Sequence, residues 1–273
     1  MYPLKNSLNL LLFLSISLVD SSLLSDILNI EKLKEVFVAY EANLHKTLKV
    51  APPYVDWRVN GKVSPVKNQQ TCAACWAFSV VANIESHLQI YLQQNVTLSE
   101  QFLIDCVPSS KGCGTGSLIQ TYAEIVSILG GVLSEDNYFP YANTKLECRW
   151  RKSASKPVPV IGFKRVYPNE DVMVEYLASH GPLSAAINSK SMQSYGGGID
   201  EPSDEKCSPK HLDHSVLIVG YSTYVSKETG KSTPYWIIKN SWGTNWGDKG
   251  YYYLVRGRNA CGIASDVSFA YVQ

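Results

Sequence analysis

The chain changes its periodicity once, near Val158, and that change limits the folds open to it. Before that point apolar residues recur at helical spacing. One stripe starts at Trp76 and runs through Phe78, Val81, Ala82, Ile84 and Leu88; a second covers 117–129 and is stopped by Gly130-Gly131. Between them Thr97-Leu98-Ser99-Glu100-Gln101 offers a hydroxyl cap followed by an acid and an amide, which predicts a short helix over 101–106. Beyond Val158 the runs at 158–163, 183–187, 214–221, 235–239 and 251–255 are strand-like, with a short helix at 169–181 between the first two. The pattern predicts an α+β fold in which a helical half and a β half meet in a cleft, where sites tend to form. At 273 residues the chain is long enough for one large domain or two modest ones. A net charge of +1 gives no reason to expect nucleic acid or an anionic membrane as partner.

The N-terminus reads as a leader. Lys5 precedes an apolar run at 8–19 that is too short to span a bilayer comfortably, and Ser21 and Ser22 supply small residues for cleavage. This predicts a signal peptide over 1–22, and no other apolar run is long enough to span. Segment 23–50 reads as one helix, with Ile27, Ile30, Leu33, Phe37, Tyr40 and Leu44 on one stripe and Pro52-Pro53 beyond its end. With a secretory leader, Asn95-Val96-Thr97 is a credible N-glycosylation acceptor.

Seven cysteines, an odd count, leave one thiol over in an oxidising compartment. Spacing alone does not choose among the pairings of the other six. The stretch 65–79 carries two of the seven. Its polar Lys67-Asn68-Gln69-Gln70-Thr71 loop feeds directly into the helix that begins near Trp76, so Cys75 falls at or near a helix N-terminus. Free N–H groups and the helix dipole there favour an anion, which predicts a lowered thiol pKa. Cys72 and Cys75 could instead form half of a zinc site, but no second C-x-x-C or H-x-x-x-H pair completes it. They could also form a redox pair, but no βαβ pattern surrounds them.

Gln69, Cys72, Cys75, Trp76, Ala77, Phe78 and Ser79 match a run in the papain family of cysteine peptidases: Gln, Gly, a variable residue, then Cys-Gly-Ser-Cys-Trp-Ala-Phe-Ser. Gln70, Ala73 and Ala74 depart from it. The resemblance, strongest to cathepsin L-like enzymes, extends from about Ala51 to the C-terminus. It includes the mature-type start Ala51-Pro52-Pro53-Tyr54-Val55-Asp56-Trp57-Arg58, the Asp213-His214 segment and Lys239-Asn240-Ser241-Trp242-Gly243. It implies a papain-like two-domain fold over 51–273, with a helical half at about 60–160. The other half, about 161–273 plus 51–59, is then an antiparallel, barrel-like sheet. It also implies the disulfides Cys72 with Cys113, Cys106 with Cys148 and Cys207 with Cys261, leaving Cys75 free.

The same resemblance assigns roles. Cys75 is the nucleophile and His214 its base; the Asn240 side-chain oxygen orients the ring, and Trp242 shields that bond. Gln69 and the Cys75 N–H are the oxyanion donors. No metal or cofactor is implied. Of the other histidines, His45 lies in the prosegment, His87 and His180 are expected at the surface, and His211 is a bystander in a loop. Walls of the pocket for the second residue before the cut fall on Ser117, Leu118, Ala186, Leu212 and Ser215; Gly116 binds the substrate strand, and Asp266 forms the floor. The loop at 199–213 has the length found in cathepsin L and lacks the long His-bearing insertion of cathepsin B, which implies endopeptidase action. Ala39-Tyr40-Glu41-Ala42-Asn43-Leu44 is similar to the end of the family's propeptide helix. At 23–50 the prosegment is short, which implies poor self-inhibition. The implied protein is a monomeric thiol protease of the secretory pathway, lysosomal or extracellular. It acts on proteins and peptides, with cystatin-type proteins as possible inhibitors. An idle, papain-fold binding protein is the alternative, supported by Ala73 and Thr115 in place of glycines lining the groove.

Overall fold

The structure, a computed structural model, describes residues 51–273. The expected signal peptide at 1–22, the helical prosegment at 23–50 and His45 lie outside the described residues. The helical half contains α1 (Cys75–Tyr91), α2 (Glu100–Cys106) and α3 (Leu118–Glu124), the last continued by a π-helical turn, Ile125–Leu129. Ser99 caps α2 by accepting the N–H of Phe102 at 3.0 Å, and Ser117 caps α3 by accepting that of Gln120 at 3.3 Å. The remaining helix, α4 (Glu170–His180), is capped by Asn169, which accepts from Asp171 and Val172.

The strands are β1 (Val55–Asp56), β2 (Gly131–Val132), β3 (Val158–Val166), β4 (Leu183–Ile187), β5 (Ile199–Asp200), β6 (His214–Val225), β7 (Ser232–Lys239), β8 (Tyr251–Val255) and β9 (Val267–Val272). They form one sheet in the order β2-β3-β9-β4-β6-β7-β8-β5, with β1 added to β6. Every pair is antiparallel except β5 with β8, so the sheet is mixed rather than wholly antiparallel. Strand β9 has no counterpart among the strand-like runs read from the sequence, and it fills the place between β3 and β4. With most helices before Val158 and most strands after it, the fold is α+β.

Two cores result. One is built on Trp76, Phe102, Leu103 and Tyr122, the other on Tyr221, Trp236, Tyr252 and Phe269. Helix α1 lies between them and packs on α2 and α3 as well as on β4, β6 and β9. Every residue from Trp76 to Leu88 is therefore buried, not only one stripe. Polar groups on a helix buried all round need partners. Ser79 Oγ donates to the Val216 carbonyl at 2.7 Å, and Asn83 Nδ2 donates to the Pro182 carbonyl at 2.7 Å. Asn83 Oδ1 accepts the Ala270 N–H at 2.9 Å. These bonds join the two halves.

The same packing corrects the expectation for His87, which is 1% exposed and not a surface residue. Strand β9 covers it: the Phe269 ring stacks on the imidazole with centroids 5.5 Å apart. The structure pairs Cys72 with Cys113, Cys106 with Cys148 and Cys207 with Cys261. Cys75 is the free cysteine among the described residues. No helix among them is long and apolar enough to cross a membrane.

Candidate active site

Each side chain of the candidate site stands at the end of an element. Cys75 is the first residue of α1, His214 the first of β6, and Asn240 follows directly on β7. Two features bring these ends together. Strands β6 and β7 are paired, with Leu217 opposite Lys239. Ser79, one helical turn beyond Cys75, fixes the Val216 carbonyl at the start of β6.

His214 is buried, and its Nε2 lies 2.7 Å from Asn240 Oδ1. An amide oxygen only accepts, so Nε2 carries the hydrogen. The backbone N–H of Asn240 donates to the Gly250 carbonyl at 3.0 Å, which holds the amide in place. The Trp242 ring lies over the imidazole with centroids 4.9 Å apart, and Trp246 packs edge-on against Trp242 at 5.0 Å. Water is thereby kept from the His214–Asn240 bond, which strengthens it.

Gln69 is buried in the loop before α1. Its Nε2 donates to the Cys72 carbonyl at 2.9 Å, and its Oε1 accepts the Ser241 hydroxyl at 2.7 Å. One N–H of the amide stays available. The loop is clamped from 141–143: the Tyr141 hydroxyl donates to the Gln69 carbonyl, and Asn143 Oδ1 accepts the Thr71 and Cys72 N–H groups at 3.1 and 2.8 Å. Gln70 stands where the family's run has Gly and takes a left-handed φ of +54°. Its N–H is held by Asn68 Oδ1 at 2.9 Å. Tyr141 and Asn143 carry no signal as site residues in the sequence, because their roles depend on chain crossings far apart in number; Ser241 lies in the matching 239–243 run, but its bond to Gln69 is not legible there.

Burial pushes the Cys75 thiol up, contrary to the lowering expected from its helix-terminal position. Hydrogen bonds from the Ser215 N–H, the Ser215 hydroxyl and the Trp76 N–H oppose that rise without cancelling it, and the Asp213 carboxylate adds to it. Burial also pushes His214 down, against the Asn240 bond and the Asp213 charge. Desolvation thus opposes either charge formed alone, whereas a thiolate and an imidazolium formed together compensate each other.

Behind Asn240 a small cavity of about 20 Å³ is bounded by Lys67, Glu85, Glu100, Ser215 and Lys239 among others. Lys67 Nζ reaches Glu100 at 2.8 Å and Glu85 at 3.2 Å. Lys239 donates to Ser64, which donates to Glu85. The Lys67 charge is opposed by burial but favoured on balance by its two carboxylates. Glu100, almost wholly buried and sharing one ammonium with Glu85, is raised to about 7; burial brings Lys239 down to about 8.

The residues read as a pocket are partly brought together. Ala186 pairs with Ser215 across β4 and β6, and its N–H donates to the Asp266 carbonyl at 2.9 Å. Leu118 is buried in the helical core, whereas Ser117 is an exposed cap and Leu212 is 38% exposed. Gly116 lies against Trp76: an added Cβ would come 2.4 Å from the indole, so only Gly fits. Thr115 is exposed. Asp266 is half-buried, and its Oδ1 lies 3.8 Å from Arg165 Nε without a hydrogen bond. Burial raises its pKa and Arg165 lowers it. The Asp266 carboxylate, expected from the sequence to form a pocket floor, therefore already faces a cation. Asn95, the candidate glycan acceptor, is exposed.

Comparison with known proteins fits this arrangement. The chain is 42% identical over 214 residues to cathepsin F of Drosophila melanogaster, covering 78% of this chain and 34% of that protein. To cysteine proteinase 1 of Dictyostelium discoideum it is 41% identical over 231 residues, covering 80% of this chain and 64% of that one. It thus spans between a third and two thirds of the length of these relatives. Among solved structures, digestive procathepsin L 3 of Tenebrio molitor larval midgut superposes with a TM-score of 0.74 at 34% identity, over 83% of this chain and 72% of that one. The family model for papain family cysteine proteases matches residues 51–271. With that match over most of its length, the chain belongs to the papain family of cysteine proteases.

Proposed function

We propose that the chain is a cysteine endopeptidase working through Cys75, His214 and Asn240. The observation that carries this reading is the 2.7 Å bond from His214 Nε2 to Asn240 Oδ1, which orients the ring at the start of a strand that Ser79 of the Cys75 helix holds by the Val216 carbonyl at 2.7 Å. The thiol proton passes to His214 as Cys75 sulfur attacks the substrate carbonyl carbon. The oxyanion is met by the Cys75 N–H and by the Gln69 N–H not committed to Cys72. His214 then protonates the departing amine, and water, deprotonated by the same ring, hydrolyses the thioester.

The proposed setting is the secretory pathway, lysosomal or extracellular, with a glycan on Asn95. Proteins and peptides are the substrates, cystatin-type proteins the inhibitors, and the enzyme acts as a monomer. The specificity pocket is formed by Ser117, Leu118, Ala186, Leu212 and Ser215 over an Asp266 floor, with Gly116 binding the substrate strand. It takes Leu or Phe, and Arg by pairing with the carboxylate. The 199–213 loop lacks the long insertion that closes one end of the groove in exopeptidases, which supports internal cutting.

A thiol-directed, irreversible epoxide tests the reading. Covalent labelling at Cys75 with loss of peptidase turnover, both absent in Cys75→Ser, is expected. A protein that remains unlabelled and inert would be the idle binding protein on the same fold. Product composed only of dipeptides would remove the endopeptidase assignment.

A further inference from the structure

Lys67 stands two residues before Gln69, and its ammonium is held from three directions. Nζ donates to Glu100 Oε1 of α2 at 2.8 Å, to the Leu98 carbonyl at 3.1 Å and to Glu85 Oε1 of α1 at 3.2 Å, so all three of its hydrogens are used. The Glu85 and Glu100 side chains are 2% and 4% exposed. Glu85 is fixed in turn, accepting the Leu98 N–H at 2.8 Å and the Ser64 hydroxyl. From this anchor to Gln69 the backbone forms a short antiparallel ladder with 241–243. The Lys67 carbonyl accepts the Gly243 N–H at 3.1 Å, Asn68 bridges to Trp242, and the Gln69 N–H donates to the Ser241 carbonyl at 2.8 Å. Side chains alternate along such a stretch: Asn68 is exposed, whereas Gln69 is buried and the Lys67 ammonium turns inward to its carboxylates.

We propose that Lys67 is a positioning residue: its bonds to Glu85 and Glu100 set the depth of the 67–69 stretch against α1, and so place the Gln69 amide as an oxyanion donor. The proposal rests on the reading of Gln69 as that donor.

Stability alone does not call for this cluster. Taking an ammonium and two carboxylates out of water is costly, and apolar side chains of similar volume often serve as well or better. What the ion pairs add is register. Glu85 lies on the helix that begins with Cys75, so the group that fixes Lys67 is carried by the same rigid element as the nucleophile. A donor misplaced by about 1 Å loses much of its effect on a transition state.

The test is a double-mutant cycle on the whole protein with a peptide substrate: wild type, Lys67→Met, Gln69→Ala and the two together. Lys67→Met should lower kcat about ten- to a hundredfold, with KM within about threefold of wild type. In the Gln69→Ala background the same change should cost less than about threefold, because the group it positions is already gone. Alkylation of Cys75 by iodoacetamide, in which sulfur displaces iodide and no oxyanion forms, should stay within about threefold of wild type throughout. Lys67→Met leaves Glu85 and Glu100 without their shared cation, so Lys67→Met with Glu100→Gln is measured as well. That pair removes one charge of each sign, keeps Lys239 bonded to Ser64 at 3.0 Å, and should show the same loss of kcat. Additive losses for Lys67 and Gln69, an unchanged kcat in both Lys67 variants, or alkylation that falls in step with kcat, as loss of structure would give, overturns the proposal. A wild type without turnover would contradict the proposed function and this role with it; an active wild type with additive losses contradicts this role alone.

Discussion

Two buried histidines, His214 and His87, occupy opposite ends of the seam between the cores, and burial pushes both pKa values down. Around His214 the groups are arranged for a charge: Asn240 accepts from Nε2, the Asp213 carboxylate favours the imidazolium, and Trp242 covers one face. Around His87 they are arranged against one. Its Nε2 meets the Pro182 carbonyl at 3.1 Å, while Nδ1 is buried with no partner. A second N–H on that ring would have no acceptor, and His180 adds like charge, leaving the pKa at about 4. Burial is thus common to the proposed base and to a packing residue. What separates them is whether the surroundings accept the proton the ring would gain.

The largest effect separates the two in activity. His214→Ala should lower kcat/KM by about 10²–10⁴, whereas His87→Gln, which keeps an amide donor for Pro182, should remain within a few-fold of wild type on the same peptide. Equal losses would erase the distinction. Next comes Gln69→Ala, expected to lower kcat by about 10²–10³ with a much smaller change in KM. A change confined to KM would remove Gln69 from the oxyanion site.

Acid stability is the third comparison. The His87 pKa lies below its ordinary 6.5, so its contribution is complete above pH 6.5 and is lost as pH falls toward about 4. The full loss is about 3 kcal/mol, since each pKa unit corresponds to about 1.4 kcal/mol. Urea midpoints of wild type should fall through this window, and those of His87→Gln should fall less. Parallel curves would mean that His87 is not the titrating group. Asn240→Ala should cost about 1–3 kcal/mol of transition-state stabilisation by removing a buried hydrogen bond to the ring; kcat measured against pH would detect it.

The smallest effect concerns Asp266. Asp266→Ala should abolish any preference for Arg over Leu as the second residue before the cut, while Leu turnover persists. Since the Asp266 pKa is raised, that preference should begin to fade at a higher pH than ordinary aspartate titration would give. Arg165→Ala should increase it only about two- to five-fold, as expected for a partly exposed ion pair. An Arg-to-Leu ratio that Asp266→Ala does not change would displace the floor to another residue.

Local chemistry explains what was legible in the sequence. The helices and most strands follow from periodicity and caps, and the ends that carry Cys75, His214 and Asn240 follow from a short polar run meeting a buried one. What was not legible depends on covering. His87 lies on the side of α1 that an amphipathic reading assigns to solvent, and β9, whose run was not recognised, covers it. Helix position predicted a lowered Cys75 thiol, but desolvation, a property of the assembled site, outweighs that local field. Arg165 reaches Asp266 only because β3 and β9 are adjacent.

The cross-links have a bearing on a member of a protease family. Cys72–Cys113 and Cys106–Cys148 overlap, so together they enclose 72–148, and Cys207–Cys261 encloses a separate stretch. No bridge joins the two sets. A single nick within 72–148 or 207–261 leaves one covalently joined molecule, whereas a nick in 149–206 leaves two chains joined only by non-covalent contacts, among them α1 on β6 and β9 and β1 on β6. Self-digestion products run without reductant should therefore report the place of the first cut: intact size for a cut inside either enclosed stretch, two fragments for a cut between them.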